Sequence, residues 1–186
     1  MIMSARLRKF MLSVHVTASV GWIGAVAAYL ALDIAAATSQ DAQTLRAAYL
    51  GMELTASFVI VPLALATLLT GLLMSLGTKW GLFRHYWTLI SLLLTVFATI
   101  ILLVETQTIS YLAHIAADPA TSANELRALG STLVHSTGGI LILLVNMWLN
   151  IYKPQGLTPY GWRKQNEQRR VLQATKQTEQ TKVSQP

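Results

Sequence analysis

Histidines are the residues of this chain best suited to carry chemistry. There are four: His15, His85, His114 and His135. Neutral imidazole is a common protein ligand of haem iron and of other metals. Cysteine is absent, which excludes disulfides and thiolate sites for zinc or iron–sulfur clusters. No spacing in the sequence is typical of a nucleophile triad, a phosphate-binding loop or a pair of hydrolytic carboxylates.

Four long apolar runs contain or adjoin three of these histidines. The runs cover about residues 10–32, 54–76, 86–104 and 133–152. A bilayer is crossed by about 20 apolar residues, and these must be helical because lipid offers the backbone no hydrogen bonds. We therefore predict an all-α integral membrane four-helix bundle in residues 1–154. A basic, polar tail is predicted in residues 155–186.

The composition is typical of a membrane protein and excludes several other classes. Of the 186 residues, 53% are hydrophobic and 12% are charged, and the mean hydropathy is +0.48. An ordinary soluble domain carries about 25% charged residues. The scarcity of charge excludes a disordered chain, most soluble enzymes and the usual kind of nucleic-acid-binding domain. We expect the lipid bilayer to be a partner, and nucleic acid not to be one.

The distribution of charge predicts the orientation of the chain. Twelve of the 14 basic residues fall in the N-terminal segment, in the second connection (Lys79 and Arg84) or in the tail. Six of the eight acidic residues fall in or beside the other two connections. Basic connections stay in the cytoplasm. Both termini are therefore predicted to be cytoplasmic, with the chain in a bacterial inner membrane.

Two connections contain helix signals of their own. Residues 45–52 place their apolar side chains on one helical face, and Ser122 begins a capping-box pattern with Glu125. Both segments are predicted to be short amphipathic helices that lie at the outer membrane surface. Pro62 is predicted to kink the second span. The tail is predicted to be a solvated anchor for the topology.

Several polar side chains are predicted to lie at a similar depth in the spans, near the cytoplasmic side. With a rise of about 1.5 Å per residue, His15, Ser91 and Asn146 fall at a common level in the inner leaflet. His85 lies slightly closer to the cytoplasm. Two histidines on different helices of a bundle can hold a haem between them. His15 with His85 is therefore the best same-side pair for haem b.

A second group lies near the outer boundary. His135 and Glu105 both fall there, and His114 follows in the external connection. His135 with Glu105 or with His114 is the second candidate pair, and Glu105 alone suits a boundary carboxylate or a proton relay. A histidine in a span can equally hydrogen bond to a neighbouring Ser, Thr or Asn, and Asn146 can equally join two helices. No metal other than haem iron is predicted.

Three stretches of the chain have a familiar pattern: HVTASVGW from His15 to Trp22, GLFRHYW ending at Trp87, and YKPQGLTPYGWRKQ in the tail. Over nearly its whole length the chain resembles a family of uncharacterised bacterial inner-membrane proteins with four helices. The first-helix pattern is also similar to that of HemJ-type membrane protoporphyrinogen oxidases, which are thought to bind haem, and of copper-resistance D membrane domains. The resemblance implies His15 as a ligand. The HemJ-type family has a lysine after a tryptophan in a later helix, and the matching position here is Ser91.

Three functions are consistent with these observations. The first is a haem- or metal-binding module for redox or tetrapyrrole chemistry, with cofactor ligands drawn from His15, His85 and His135. The second is a non-catalytic membrane protein that binds partner helices or forms a homodimer through faces of small residues. The third is a carrier of a small solute or ion. If the protein is an enzyme, a haem-dependent membrane oxidoreductase is expected.

Overall fold

A computed structural model describes residues 3–77 and 81–183 of the chain, without the side chains of residues 178, 179 and 181–183. The helices are α1 (Ala5–Thr38), α2 (Ala42–Thr55), α3 (Val61–Gly77), α4 (Tyr86–Ala117), α5 (Ala123–Ala128), α6 (Leu133–Tyr152) and α7 (Pro159–Val183). The described residues contain no strand, so the predicted all-α class is confirmed. Lys79, which contributes to the predicted orientation, lies outside the described residues, as do the side chains of Glu179 and Lys182.

Among the described residues, four helices are long and apolar enough to cross a membrane. Three of them are α1, α4 and α6. The fourth is continuous from Ala42 to Gly77, because a π-helical turn at Ala56–Ile60 joins α2 to α3. Each predicted span falls inside one of these four helices. The chain is therefore a multi-pass membrane protein by length and composition, as the sequence predicted.

The helices alternate in direction and share two ends. Met3 N donates a hydrogen bond to Gly77 O over 3.1 Å, so the start of α1 meets the end of α3. Tyr86 N donates to Gly156 O over 3.2 Å, so the start of α4 lies beside the chain that leaves α6. We call this the basic end of the bundle. The opposite end, which contains Asp33, is called the acidic end.

The first half of the second span is buried, which corrects the prediction of a short helix at the membrane surface. Leu45, Tyr49 and Met52 are each at most 2% exposed and belong to the core. The reason is that α1 and α4, with 34 and 32 residues, extend past the predicted spans at the acidic end. Their extensions pack on both sides of α2. The apolar face of residues 45–52 therefore packs against protein.

The acidic end is closed by hydrogen bonds between connections. The Arg46 guanidinium donates to four carbonyls within and beyond the last turn of α4, those of Ala116, Asp118, Pro119 and Thr121. The predicted capping box is confirmed in α5, where the Ser122 hydroxyl accepts from Glu125 N and the Glu125 carboxylate accepts from Ser122 N. These contacts make the acidic end a structured cap on the bundle.

The basic end is closed by an unpredicted contact between two of the familiar stretches. His85 and Leu157 form an isolated antiparallel bridge, and Thr158 N donates to Arg84 O over 3.0 Å. The tail then forms α7, a 25-residue helix that the sequence did not predict. Gly161, in its first turn, lies against the backbone of Arg84. The tail is thereby attached to the connection between α3 and α4.

Candidate functional site

A large cavity opens among α1, α3, α4 and α6 toward the basic end. Its volume is about 640 Å³, and we call it the basic-end cavity. Its wall is predominantly apolar, and it brings together polar side chains from all four helices. Those that the argument uses are His15, Thr67, Thr88, Ser91, Thr95 and Asn146. His15, Ser91 and Asn146, which the sequence placed at one depth, thus line one space.

The imidazole of His15 is held in one orientation by α3. Its Nδ1 lies 2.9 Å from the Oγ1 of Thr70. The Thr70 hydroxyl lies 2.6 Å from Ala66 O, which can only accept, and with that bond made the ring Nδ1 is the donor to Thr70. A neutral imidazole with its proton on Nδ1 keeps a lone pair on Nε2. This is the tautomer that a histidine needs to bind a metal through Nε2.

Gly71 provides the surface on which the His15 ring lies. A Cβ at position 71 would come within 3.1 Å of the ring Cε1 and within 3.6 Å of Nδ1. That separation is tighter than ordinary van der Waals contact, so a larger residue would displace the ring. Thr70 and Gly71 are the residues that sequence reasoning missed. Nothing in the sequence distinguishes these two residues from the other small residues of the second span. Only the packing of α1 on α3 places them beside His15.

A chain of hydrogen bonds joins α4 to α6 on the opposite wall of the cavity. The Ser91 hydroxyl donates to the side-chain carbonyl of Asn146. Asn146 Nδ2 donates to the Thr95 hydroxyl over 2.8 Å, and Asn150 Nδ2 also donates to Ser91. Polar bonds of this kind hold helices together in lipid. Asn146 therefore joins two helices while it also lines the cavity.

Two buried hydroxyls in the cavity wall have no hydrogen-bond partner among the described residues. They belong to Thr67 and Thr88, which are 6% and 8% exposed. Buried polar groups are nearly always satisfied by protein, water or a ligand. Both hydroxyls can therefore donate to water or to a ligand in this cavity. Arg8, Lys9 and Lys153 lie at its rim and give that opening a positive charge.

His85 does not line this cavity. It precedes the first residue of α4, forms the bridge with Leu157, and its ring centroid lies 6.3 Å from that of Trp87. The structure thus does not bring His15 and His85 to one space. The backbone of His85 is held against Leu157 by the fold of the connection before α4.

A smaller cavity, of about 180 Å³, lies toward the acidic end between the π-helical turn, α1, α4 and α6. We call it the acidic-end cavity. Glu105 and His135 both line it, and His135 Nδ1 lies 3.3 Å from Glu105 Oε1. The second sequence-derived pair is therefore in contact. His114 lies exposed near the end of α4, away from the residues that line either cavity.

The most buried polar side chain among the described residues was not among the predicted site residues. Asp33 is 0% exposed, and its carboxylate accepts hydrogen bonds from the hydroxyls of Ser131, Thr132 and Ser136 and from Thr132 N. Tyr29, one turn earlier on α1, contacts the same Thr132 hydroxyl. Asp33 is one of the six acidic residues that the sequence assigns to the acidic side of the chain. Its donors, Ser131, Thr132 and Ser136, lie about 100 residues away in the sequence, so only the packing of α1 on α6 identifies them.

Within residues 3–77 and 81–183, no group of three or more His, Asp or Glu side chains could hold a metal ion. Comparisons of the chain with family models, with curated proteins and with solved structures gave no match.

Proposed function

We propose that this chain is a bacterial inner-membrane protein that binds haem b in the basic-end cavity, with His15 as the axial ligand. The observation that carries the proposal is the bond from His15 Nδ1 to Thr70, because it leaves Nε2 as a lone-pair donor at the cavity wall. A hydrogen bond from the second ring nitrogen is the usual way in which proteins orient a histidine ligand.

The residues of the cavity fit such a group in three respects. Its volume of about 640 Å³ lies in the range of small-molecule and cofactor sites, about 300–1,000 Å³. Trp22 and other apolar side chains form most of the wall, which suits a macrocycle. Arg8 and Lys9 at the rim suit its two carboxylates, since charge-assisted hydrogen bonds are the strongest available there.

His15 is the one histidine on the wall of this cavity within the described ranges. The chain itself thus supplies a single imidazole ligand. Haem b held by one histidine supplies an iron that can exchange electrons or bind a small molecule. The protein's contribution is to orient the imidazole through Thr70, to give it room through Gly71 and to offer the hydroxyls of Thr67 and Thr88 as hydrogen-bond partners.

The orientation is proposed to place the basic end in the cytoplasm. Arg8, Lys9, Arg84 and Lys153 all lie at that end, and α7 extends from it with further basic residues. Retention of basic segments on the cytoplasmic side determines the topology of most inner-membrane proteins. A fusion reporter at the C-terminus should read as cytoplasmic, and a periplasmic reading would contradict this orientation.

Purified protein tests the haem proposal directly. The full chain would be expressed with added haem precursor, extracted in a neutral detergent, and examined by absorption spectroscopy and by haem quantification. We expect a Soret band and about one haem per chain. His15→Ala should lose the band, while the matched variants His85→Ala and His114→Ala should keep it.

Three results would contradict the proposal. A colourless wild-type protein would exclude it, as would a Soret band that survives His15→Ala. A band lost in His85→Ala but kept in His15→Ala would transfer the site to the connection before α4. The folded state of each variant is checked by its elution volume and thermal transition in detergent.

A further inference from the structure

We propose that the acidic-end cavity is a binding site for a small organic cation, an ammonium group on an apolar body about the size of one aromatic ring, with Glu105 as the counter-ion. This site is separate from the proposed haem site. The two cavities share the side chains of Trp22 and Leu143 in their walls, and His15 lines only the basic-end cavity.

The size and the lining of the acidic-end cavity indicate that its ligand has a small apolar body. The cavity holds about 180 Å³, and an engineered apolar cavity of about 150 Å³ in another protein accepts benzene. Val26, Ile60, Ala98 and Leu143 make its wall almost wholly apolar. A polar solute or a chain of waters would lose its hydrogen bonds in such a space.

Glu105 selects the polar group of the ligand. One carboxylate oxygen, Oε1, lies 3.3 Å from His135 Nδ1. The other, Oε2, is buried and has no hydrogen-bond partner among the described residues. An unpaired carboxylate oxygen in an apolar wall is costly, and the cost is removed by a ligand that donates a hydrogen bond and carries a positive charge.

The neighbouring charges favour a cation over a neutral donor. The carboxylate of Asp33 is fully buried nearby, one turn after Tyr29, which lines the cavity. Arg46 and Arg127 at this end direct their guanidinium groups to backbone carbonyls of the connections. The aromatic faces of Trp22 and Tyr29 in the wall add attraction for an ammonium ion.

The cavity is accessible from the side of the bundle. Val134, 83% exposed, and His135, whose side chain is 53% exposed, form its edge on α6. Gly138 and Gly139 follow on the same helix, and a Cβ at either position would meet nothing within 4 Å. Their missing side chains keep the space open. Alanine at both positions can therefore fill it without a clash.

The experiment compares benzylammonium with its neutral analogue benzyl alcohol. Binding to the full chain in a neutral detergent would be measured by calorimetry and by saturation-transfer NMR. We expect wild-type protein to bind benzylammonium at least tenfold more tightly than benzyl alcohol. Glu105→Gln should remove that preference, whereas Glu125→Gln, an exposed acid on α5, should keep it.

A second variant keeps the test decisive if Glu105→Gln fails to fold. Gly138→Ala with Gly139→Ala should weaken both ligands, and Gly24→Ala, which also meets nothing within 4 Å but lines neither cavity, should weaken neither. His15→Ala should leave both affinities unchanged, which separates this site from the haem site. Equal binding of the two ligands to wild type, a preference that survives Glu105→Gln, or an absence of binding to wild type would each overturn the proposal.

Discussion

The backbone carbonyl of Arg84 lies over Gly161 so closely that the Cβ of any other residue would come within 2.2 Å of its oxygen. The same carbonyl accepts a hydrogen bond from Thr158 N, and the Thr158 hydroxyl accepts one from Gly161 N over 3.1 Å. The first turn of α7 can therefore dock on the connection before α4 only because residue 161 is glycine.

Gly161→Ala is expected to release α7 from the bundle. The added methyl group must move the Arg84 carbonyl or the helix, and overpacking of this kind costs about 1–3 kcal/mol in stability. Hydrogen exchange followed by mass spectrometry should show faster exchange in residues 159–165. Gly24→Ala is the control, since its methyl group meets no neighbour. Unchanged exchange in Gly161→Ala would show that the contact does not hold α7.

Thr70→Val is expected to weaken the binding of haem without removing His15. Valine has the shape of threonine and no acceptor for the proton on His15 Nδ1, so the imidazole loses its preferred tautomer and orientation. Loss of such an outer partner typically costs about 10–100-fold in affinity. Haem titration in detergent measures the change, and Thr70→Ser, which keeps the hydroxyl, should bind as wild type does. Equal affinity in Thr70→Val would mean that Thr70 does not orient the ring.

Asp33→Ala is expected to destabilise the acidic end. The substitution leaves the Ser131, Thr132 and Ser136 donors without their acceptor. A buried donor left unpaired costs about 1–3 kcal/mol, and Thr132 and Ser136 are the buried donors here, so a loss of about 2 kcal/mol or more is expected. Thermal unfolding in detergent gives the readout. Glu53→Ala, at a half-buried acid with no such cluster, should change the transition far less.

The stability of the first turn of α2 is expected to depend on pH. Hydrogen bonds from the backbone amide and the hydroxyl of Thr44 lower the pKa of the Asp41 carboxylate below its ordinary 3.8. A lowered pKa in the folded state means that the cap stabilises the helix above pH 3.8 and is lost as the pH falls through the lower, folded-state value. The difference in melting temperature between wild type and Asp41→Asn should therefore change only below about pH 4, because asparagine caps a helix without titrating. A difference that changes at neutral pH instead would contradict this assignment.

The four spans could be predicted because lipid imposes a simple rule on the chain. A run of about 20 apolar residues has one stable backbone conformation in a bilayer, so length and composition were sufficient. The common depth of His15, Ser91 and Asn146 followed from the same rule, since helical rise converts residue number into depth. These three residues line one cavity in the structure.

Rotation about the helix axis could not be predicted in the same way. Depth placed His85 near His15, but His85 lies in a connection whose backbone is bridged to Leu157, and it does not line the cavity that His15 lines. The partner of His15 is Thr70, an ordinary residue of an apolar span, and only the packing of α1 on α3 identifies it. The helical tail was missed because its polar sequence has no apolar face to reveal it, and its first turn is fixed by a backbone contact at Gly161.

The π-helical turn at Ala56–Ile60 has a consequence for both cavities. A π-helical turn contains one residue more than the α-helical path, and each residue of a helix contributes about 100° of rotation. If the same residues followed a regular α-helix without the π-helical turn, Tyr49 would be rotated by about that angle relative to Thr70. Either the core contact of Tyr49 or the seat of His15 would then face lipid. The π-helical turn thus sets the rotation of one half of the span relative to the other. One helix can therefore present Tyr49 to the core at the acidic end and Thr70 to His15 at the basic end.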